Sequence, residues 1–219
     1  MTSTSSVTAA IETQAKALGP ILFAGMAASL VSSGRRARSL SHPKYPHLLP
    51  LILRAELREF LESETLPNDW AVGGDPRAMG QLLLVNPVLG MEMSFLKERR
   101  RTYPGGVPTA GRNPARRARW TQGELDLDLG LPSLPSTADP EVKLLLCWDF
   151  ASRATLDQFV LRIVHTLAPG KYGSAVPCDL ILEVQDSGSI FSHLKFAGSD
   201  DADEDFFSVD IQKDENGFT

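Results

Sequence analysis

Residues 143–148 read Lys-Leu-Leu-Leu-Cys-Trp. A strand of that composition is apolar on both faces, as a central strand of a sheet must be. Other strand-like segments have to be arranged around it. Residues 81–85 and 91–97 read as two strands joined around Asn86-Pro87. In the second, Met91, Met93 and Phe95 alternate with Glu92 and Ser94, which predicts one buried and one exposed face. Residues 159–167 alternate less cleanly, with Arg162 and His165 interrupting. Residues 179–185 place Leu180, Leu182 and Val184 on one side and Asp179, Glu183 and Gln185 on the other, and 189–196 complete a hairpin across Asp186-Ser187-Gly188. Residues 125–129 alternate and suit an edge strand, whereas 116–122 fit either a strand or a helical turn.

The N-terminal third follows a different period. Ile11, Ala15, Leu18, Leu22, Met26 and Leu30 recur every three or four residues, a helical stripe that Gly19-Pro20 should kink or interrupt. Residues 32–46 contain Gly34, Pro43 and Pro46 and read as a connector. A second helix is predicted over 47–63, with Leu49, Ile52, Leu53, Leu57, Phe60 and Leu61 buried, Arg54, Glu56, Arg58, Glu59 and Glu62 in water, and Pro50 in its first turn. The expected architecture is α+β: two N-terminal helices packed on a mainly antiparallel, meander-connected twisted sheet. One domain spans 1–199, with a helical part at 7–63, a sheet part at 69–196 and a mobile basic loop at 97–120. An acidic tail follows at 200–219.

At 219 residues and 42% hydrophobic content, the chain can bury a core without disulfides or metal staples. Its two cysteines, Cys147 and Cys178, each adjoin an apolar run, which fits small buried hydrophobes in a reducing compartment such as the cytoplasm. The apolar run 20–31 has about the length of a signal-peptide core, but only Lys16 precedes it as a basic residue and Arg35, Arg36 and Arg38 follow it. It is shorter than the ~20 residues a membrane span needs, so a buried helix is expected and no membrane association.

The net charge of −5 disfavours attraction of the whole protein to nucleic acid. The charge is segregated, however. Lys97, Arg99, Arg100, Arg101, Arg112, Arg116, Arg117 and Arg119 crowd one segment, and Asp200, Asp201, Asp203, Glu204, Asp205, Asp210, Asp214 and Glu215 crowd the tail. Arginine forks bind phosphate and carboxylate bidentately, and Tyr103 and Trp120 are placed to stack on bases. This basic arm, Lys97 to Trp120, is the expected binding element for nucleic acid or another polyanion. A solvated surface, or pairing of the arm with the acidic tail, competes with that reading. The tail, with Phe206-Phe207 amid its acids, is expected either to dock as an edge strand over 206–211 or to contact a protein partner or a second copy of the chain.

Enzymatic signatures are sparse. Asp179, Glu183 and Gln185 on one strand face match only the loosest form of the acid…Glu-x-Lys pattern of metal-dependent nucleases, without the lysine. Two carboxylates on a strand can hold Mg²⁺, yet polar residues on the wet face of a strand are the ordinary expectation. His42, His47, His165 and His193 show no zinc-ligand spacing. Phosphate loops and nucleophile elbows are absent. No cofactor or metal is implied, and the expected function is a non-enzymatic binding or regulatory protein with an anionic partner. The alternatives are a metal-dependent nuclease or hydrolase around Asp179 and Glu183, and a subunit of a larger assembly.

Overall fold

The computed structural model describes residues 7–40, 44–125, 142–151, 158–186 and 190–192. Helices α1 (Val7–Ala37) and α2 (Leu48–Ser63) precede strands β1 (Ala71–Gly73), β2 (Leu83–Asn86) and β3 (Met91–Lys97). A short helix α3 (Pro114–Trp120) then leads to β4 (Val142–Phe150), β5 (Phe159–Thr166), β6 (Cys178–Val184) and β7 (Ile190–Ser192). The strands form one sheet in the order β1 to β7. Every neighbouring pair is antiparallel except β3 and β4, which run parallel with Met91 opposite Val142 and Lys97 opposite Trp148. The chain is therefore α+β, as its periodicities predict. Its sheet is two meanders joined side by side by a crossover, because parallel neighbours cannot be linked by a tight turn.

Strand β4 is the fourth of seven and is covered on both faces, which is what its unbroken apolar run demands. On one face Leu144, Leu146 and Trp148 join Met91, Met93, Phe95, Leu161, Ile163 and Leu182 beneath α1 and α2. On the other, Leu145, Cys147 and Val164 lie beneath Val107, Ala110, Trp120 and Val176. The crossover supplies most of that second layer. Its presence explains why Glu92 and Ser94, alternating outward from β3, are buried rather than wet.

Helix α1 runs unbroken through Pro20. A mid-helix proline costs ~3 kcal/mol; the stripe Ile11, Ala15, Leu18, Leu22, Met26 and Leu30 is buried on both sides of it, and that packing outweighs the local penalty. By length and composition alone α1 could cross a membrane, but here its apolar stripe packs on α2 and the sheet. The helices meet closely at Gly25, where an added Cβ would stand 2.7 Å from Phe60 Cδ1 and 2.9 Å from Leu57 Cδ1. Gly25→Ala is accordingly expected to lower stability by about 1–3 kcal/mol, through overpacking. A urea titration checks this, and an unchanged midpoint would show that the interface yields freely.

Neither cysteine is bridged. Burial pushes both thiols up, Cys147 well above its ordinary value and Cys178 to about 12. Both should resist a thiol reagent at pH 8 until the chain unfolds. Because the unfolded thiols ionise near 9.0, their contribution is intact below that pH. It is then lost by about 1.4 kcal/mol per pH unit per thiol as pH rises toward the folded values. Replacing both by alanine should flatten that alkaline decline.

Candidate anion-binding crossover

The segment 97–120, which composition reads as a mobile arm, is packed. It opens with a tight loop in which Arg99 N donates to Gly106 O (2.8 Å) and Gly106 N to Tyr103 O (2.8 Å). Tyr103, Val107 and Ala110 are buried, and Ala110 N donates to Pro169 O (3.0 Å). The glycines and prolines that suggested mobility serve the turns instead. Gly106, at φ +83°, passes so close to the sheet that an added Cβ would stand 2.8 Å from Glu98 Oε2 and 2.9 Å from Arg162 Nη2.

The loop is held from below by a buried ion pair. Glu98 has a side chain 1% exposed, and its Oε1 accepts from Arg162 Nε at 2.6 Å. Arg162 Nη2 also donates to Gly105 O (3.0 Å). Arg100 Nε closes on the other oxygen of Glu98 at 3.0 Å. The charge that interrupts β5 in the sequence is thus an anchor for the crossover. Lys97 pairs with Asp149 (2.6 Å) and lies over the Trp148 and Phe150 rings.

Residues 114–120 resolve the ambiguity of 116–122 in favour of a helix. Asn113 accepts a hydrogen bond from Arg116 N at 3.2 Å and Pro114 occupies the first turn, the usual chemistry of a helix start. Trp120 closes α3 facing inward, 2% exposed, with Nε1 donating to Pro108 O at 3.0 Å. Its buried position, like that of Tyr103, removes it as a stacking surface for bases. It acts as a platform from beneath instead: Arg116 Cζ stands 4.8 Å from the ring centre.

The predicted basic residues therefore divide. Lys97, Arg100 and Arg119 are engaged with carboxylates, Arg119 with Glu92 at 3.0 Å. Arg99, Arg101, Arg112 and Arg117 are exposed and Arg116 half-buried. Among the described residues no carboxylate pairs with Arg99, Arg112, Arg116 or Arg117. Burial first, and then repulsion by Arg99, lower the pKa of Arg116. Burial and repulsion by Arg116 do the same to Arg54 of α2. Sequence periodicity places Arg54 on the wet face of its helix. In the structure its Nη1 donates to Met79 O (2.9 Å) and its Nε is buried without a partner among the described residues. Nothing in the sequence distinguishes Arg54 from Arg58, whose guanidinium is spent on Gly73 O and Gln81 O.

The carboxylate candidates are not brought together. Asp179 Oδ1 lies 2.6 Å from His165 Nδ1, and its Oδ2 accepts from Leu125 N at 2.8 Å. His165 is buried, not a surface group. Glu183 is four residues away along β6, roughly 13 Å at strand rise, beside Gln185 (3.1 Å) and opposite Arg162. No group of three or more His, Cys, Asp or Glu among the described residues is placed to hold a metal. His193 and the 200–219 tail, with the expected docking of 206–211, lie outside the described residues, as does most of 125–129.

The fold and the crossover together define an α+β protein with a mixed sheet and a basic outer layer. No protein-family model, curated protein or solved structure matches the chain.

Proposed function

We propose that the protein is a non-enzymatic binding or regulatory protein that holds an anionic partner on the 97–120 crossover. The observation that carries this reading is the set Arg99, Arg112, Arg116 and Arg117. Four guanidiniums lie on one packed segment without a carboxylate among the described residues to neutralise them. A rigid scaffold lowers the ordering cost of binding, and arginine forks supply bidentate contacts to phosphate or carboxylate. The nuclease alternative draws less support, since Asp179 is engaged with His165 and lies far from Glu183 along the strand. Two unbridged thiols fit a reducing, cytoplasmic setting.

The test is fluorescence anisotropy of the full chain with labelled single-stranded DNA, duplex DNA and polyglutamate. Binding to at least one, lost when Arg99, Arg112, Arg116 and Arg117 are changed together to glutamine, is the expected result. Equal binding by the parent and the neutralised variant would overturn the reading.

A further inference from the structure

The loop between β5 and β6 carries the most exposed aromatic side chain among the described residues, Tyr172, which is 84% exposed. Lys171-Tyr172-Gly173-Ser174 forms a tight turn, in which Lys171 O accepts from Ser174 N at 3.2 Å and Gly173 takes φ +75°. A positive φ at the third position of a turn asks for glycine, and Tyr172 occupies the second position, at the tip. The loop is seated on the crossover at three points. Pro169 O accepts from Ala110 N at 3.0 Å. Gly170 passes so close that an added Cβ would stand 3.1 Å from Thr109 Cγ2. The Tyr172 ring meets that of Tyr103 edge to face, with centroids 6.0 Å apart.

Tyr103 is buried in the crossover, and its hydroxyl accepts from Thr109 Oγ1 at 3.1 Å. Its backbone N donates to Arg99 O at 2.9 Å, so Tyr172 is braced against the same tight loop that carries Arg99. Arg112 lies two residues beyond Ala110, whose N–H ties the two loops together, and Lys171 adjoins Tyr172 in the chain. All three cations are exposed, and among the described residues no carboxylate pairs with any of them. A lone exposed aromatic is ordinary on a protein surface. Tyr172 differs in being held by a buried ring, with most of its own ring open to solvent, beside cations that nothing neutralises. Single-stranded nucleic acid asks for that combination, a π-face for a base and positive charge for the backbone that flanks it. An acidic peptide would engage the cations and leave the ring unused.

We infer that Tyr172 stacks on a base of single-stranded nucleic acid, with Arg99 and Arg112 holding the backbone beside it. This rests on the anionic-partner reading above and narrows it: the partner carries unpaired bases. Every base has a π-face, so stacking tolerates any sequence. The surface accordingly tells single strands from duplex rather than one sequence from another. It also supplies the aromatic contact that burial of Tyr103 and Trp120 withdraws, with Tyr103 acting as the support behind Tyr172.

The experiment titrates the full chain, as parent, Tyr172→Ala and Tyr172→Phe, against four labelled probes. These are a single-stranded oligonucleotide, its duplex, polyglutamate, and an abasic strand of the same length, which keeps the phosphates and lacks the bases. The parent is expected to bind the single strand more tightly than the abasic strand. Tyr172→Ala should weaken single-strand binding about 5- to 150-fold, the effect of losing one stacked base. It should leave abasic-strand binding and the salt slope unchanged, because it removes no charge. Tyr172→Phe keeps the ring and should stay within about twofold of the parent. Melting temperatures of both variants should stay near that of the parent, since Tyr172 is exposed. Equal single-strand affinity in the parent and Tyr172→Ala overturns the inference and leaves the anionic-partner reading standing. So does a loss in Tyr172→Ala that is as large on the abasic strand, or tighter binding of duplex or polyglutamate than of the single strand. No binding of any probe overturns both.

Discussion

Replacing Glu98 with alanine is expected to cost about 3–5 kcal/mol of stability, the range for breaking one side of a buried ion pair. The change leaves Arg162, 8% exposed in its side chain, with an uncompensated charge beneath the crossover. It also removes the 3.0 Å contact of Arg100 Nε with Glu98 and loosens the turn at Gly105 and Gly106, so the loss should extend beyond the pair. Replacing both partners with apolar residues of similar volume, as in Glu98→Leu with Arg162→Met, should recover much of the deficit because no buried charge remains. Urea unfolding of the two variants measures this. A Glu98→Ala variant within about 0.5 kcal/mol of the parent, the range of ordinary surface substitutions, would show that Glu98 does not anchor the crossover.

The second large effect is at Trp120. Trp120→Ala should destabilise by about 3–5 kcal/mol, the range for truncating a buried aromatic, and should expose the layer formed by Val107, Ala110 and Val176. Trp120→Phe retains a ring under Arg116 but loses the hydrogen bond to Pro108 O, so a smaller loss is expected, about 1–2 kcal/mol. The pair of variants also separates the two roles that the sequence allows. A base-stacking tryptophan would lose affinity for an oligonucleotide in both variants with little change in stability. A tryptophan that supports Arg116 from beneath gives the reverse for Trp120→Phe, a weakened fold with affinity nearly intact.

How the sequence carries this architecture differs from element to element. Strand β4 and the helical stripes are legible because they bury large apolar side chains with a fixed period, and that burial dominates folding. The continuity of α1 through Pro20 is hidden, since a local rule about proline is overridden by packing that only the assembled core shows. The parallel pairing of β3 and β4 is equally hidden: no local signal marks which strand edge a distant segment will meet. That topology turns 97–120 from an arm into a layer. It buries Glu92 and Ser94 and takes Trp120 out of solvent. The start of α3 was there to be read in Asn113-Pro114, a cap followed by a first-turn proline. Glu98 gave a fainter sign, as a lone acid within the basic run 97–101, and Arg162 as a charge in the middle of an apolar strand. Arg54 gave none, because its separation from Arg58 depends on which loop carbonyls each one meets.

The measurement closest to the central claim is the salt dependence of polyanion binding by the full chain and by the variant with Arg99, Arg112, Arg116 and Arg117 all replaced by glutamine. For a single-stranded oligonucleotide, four phosphate contacts predict a slope of log affinity against log salt of about −3 for the parent. The variant should show a slope near zero and little residual affinity. Binding of equal strength and equal slope in both proteins would place the partner elsewhere on the molecule and contradict the account.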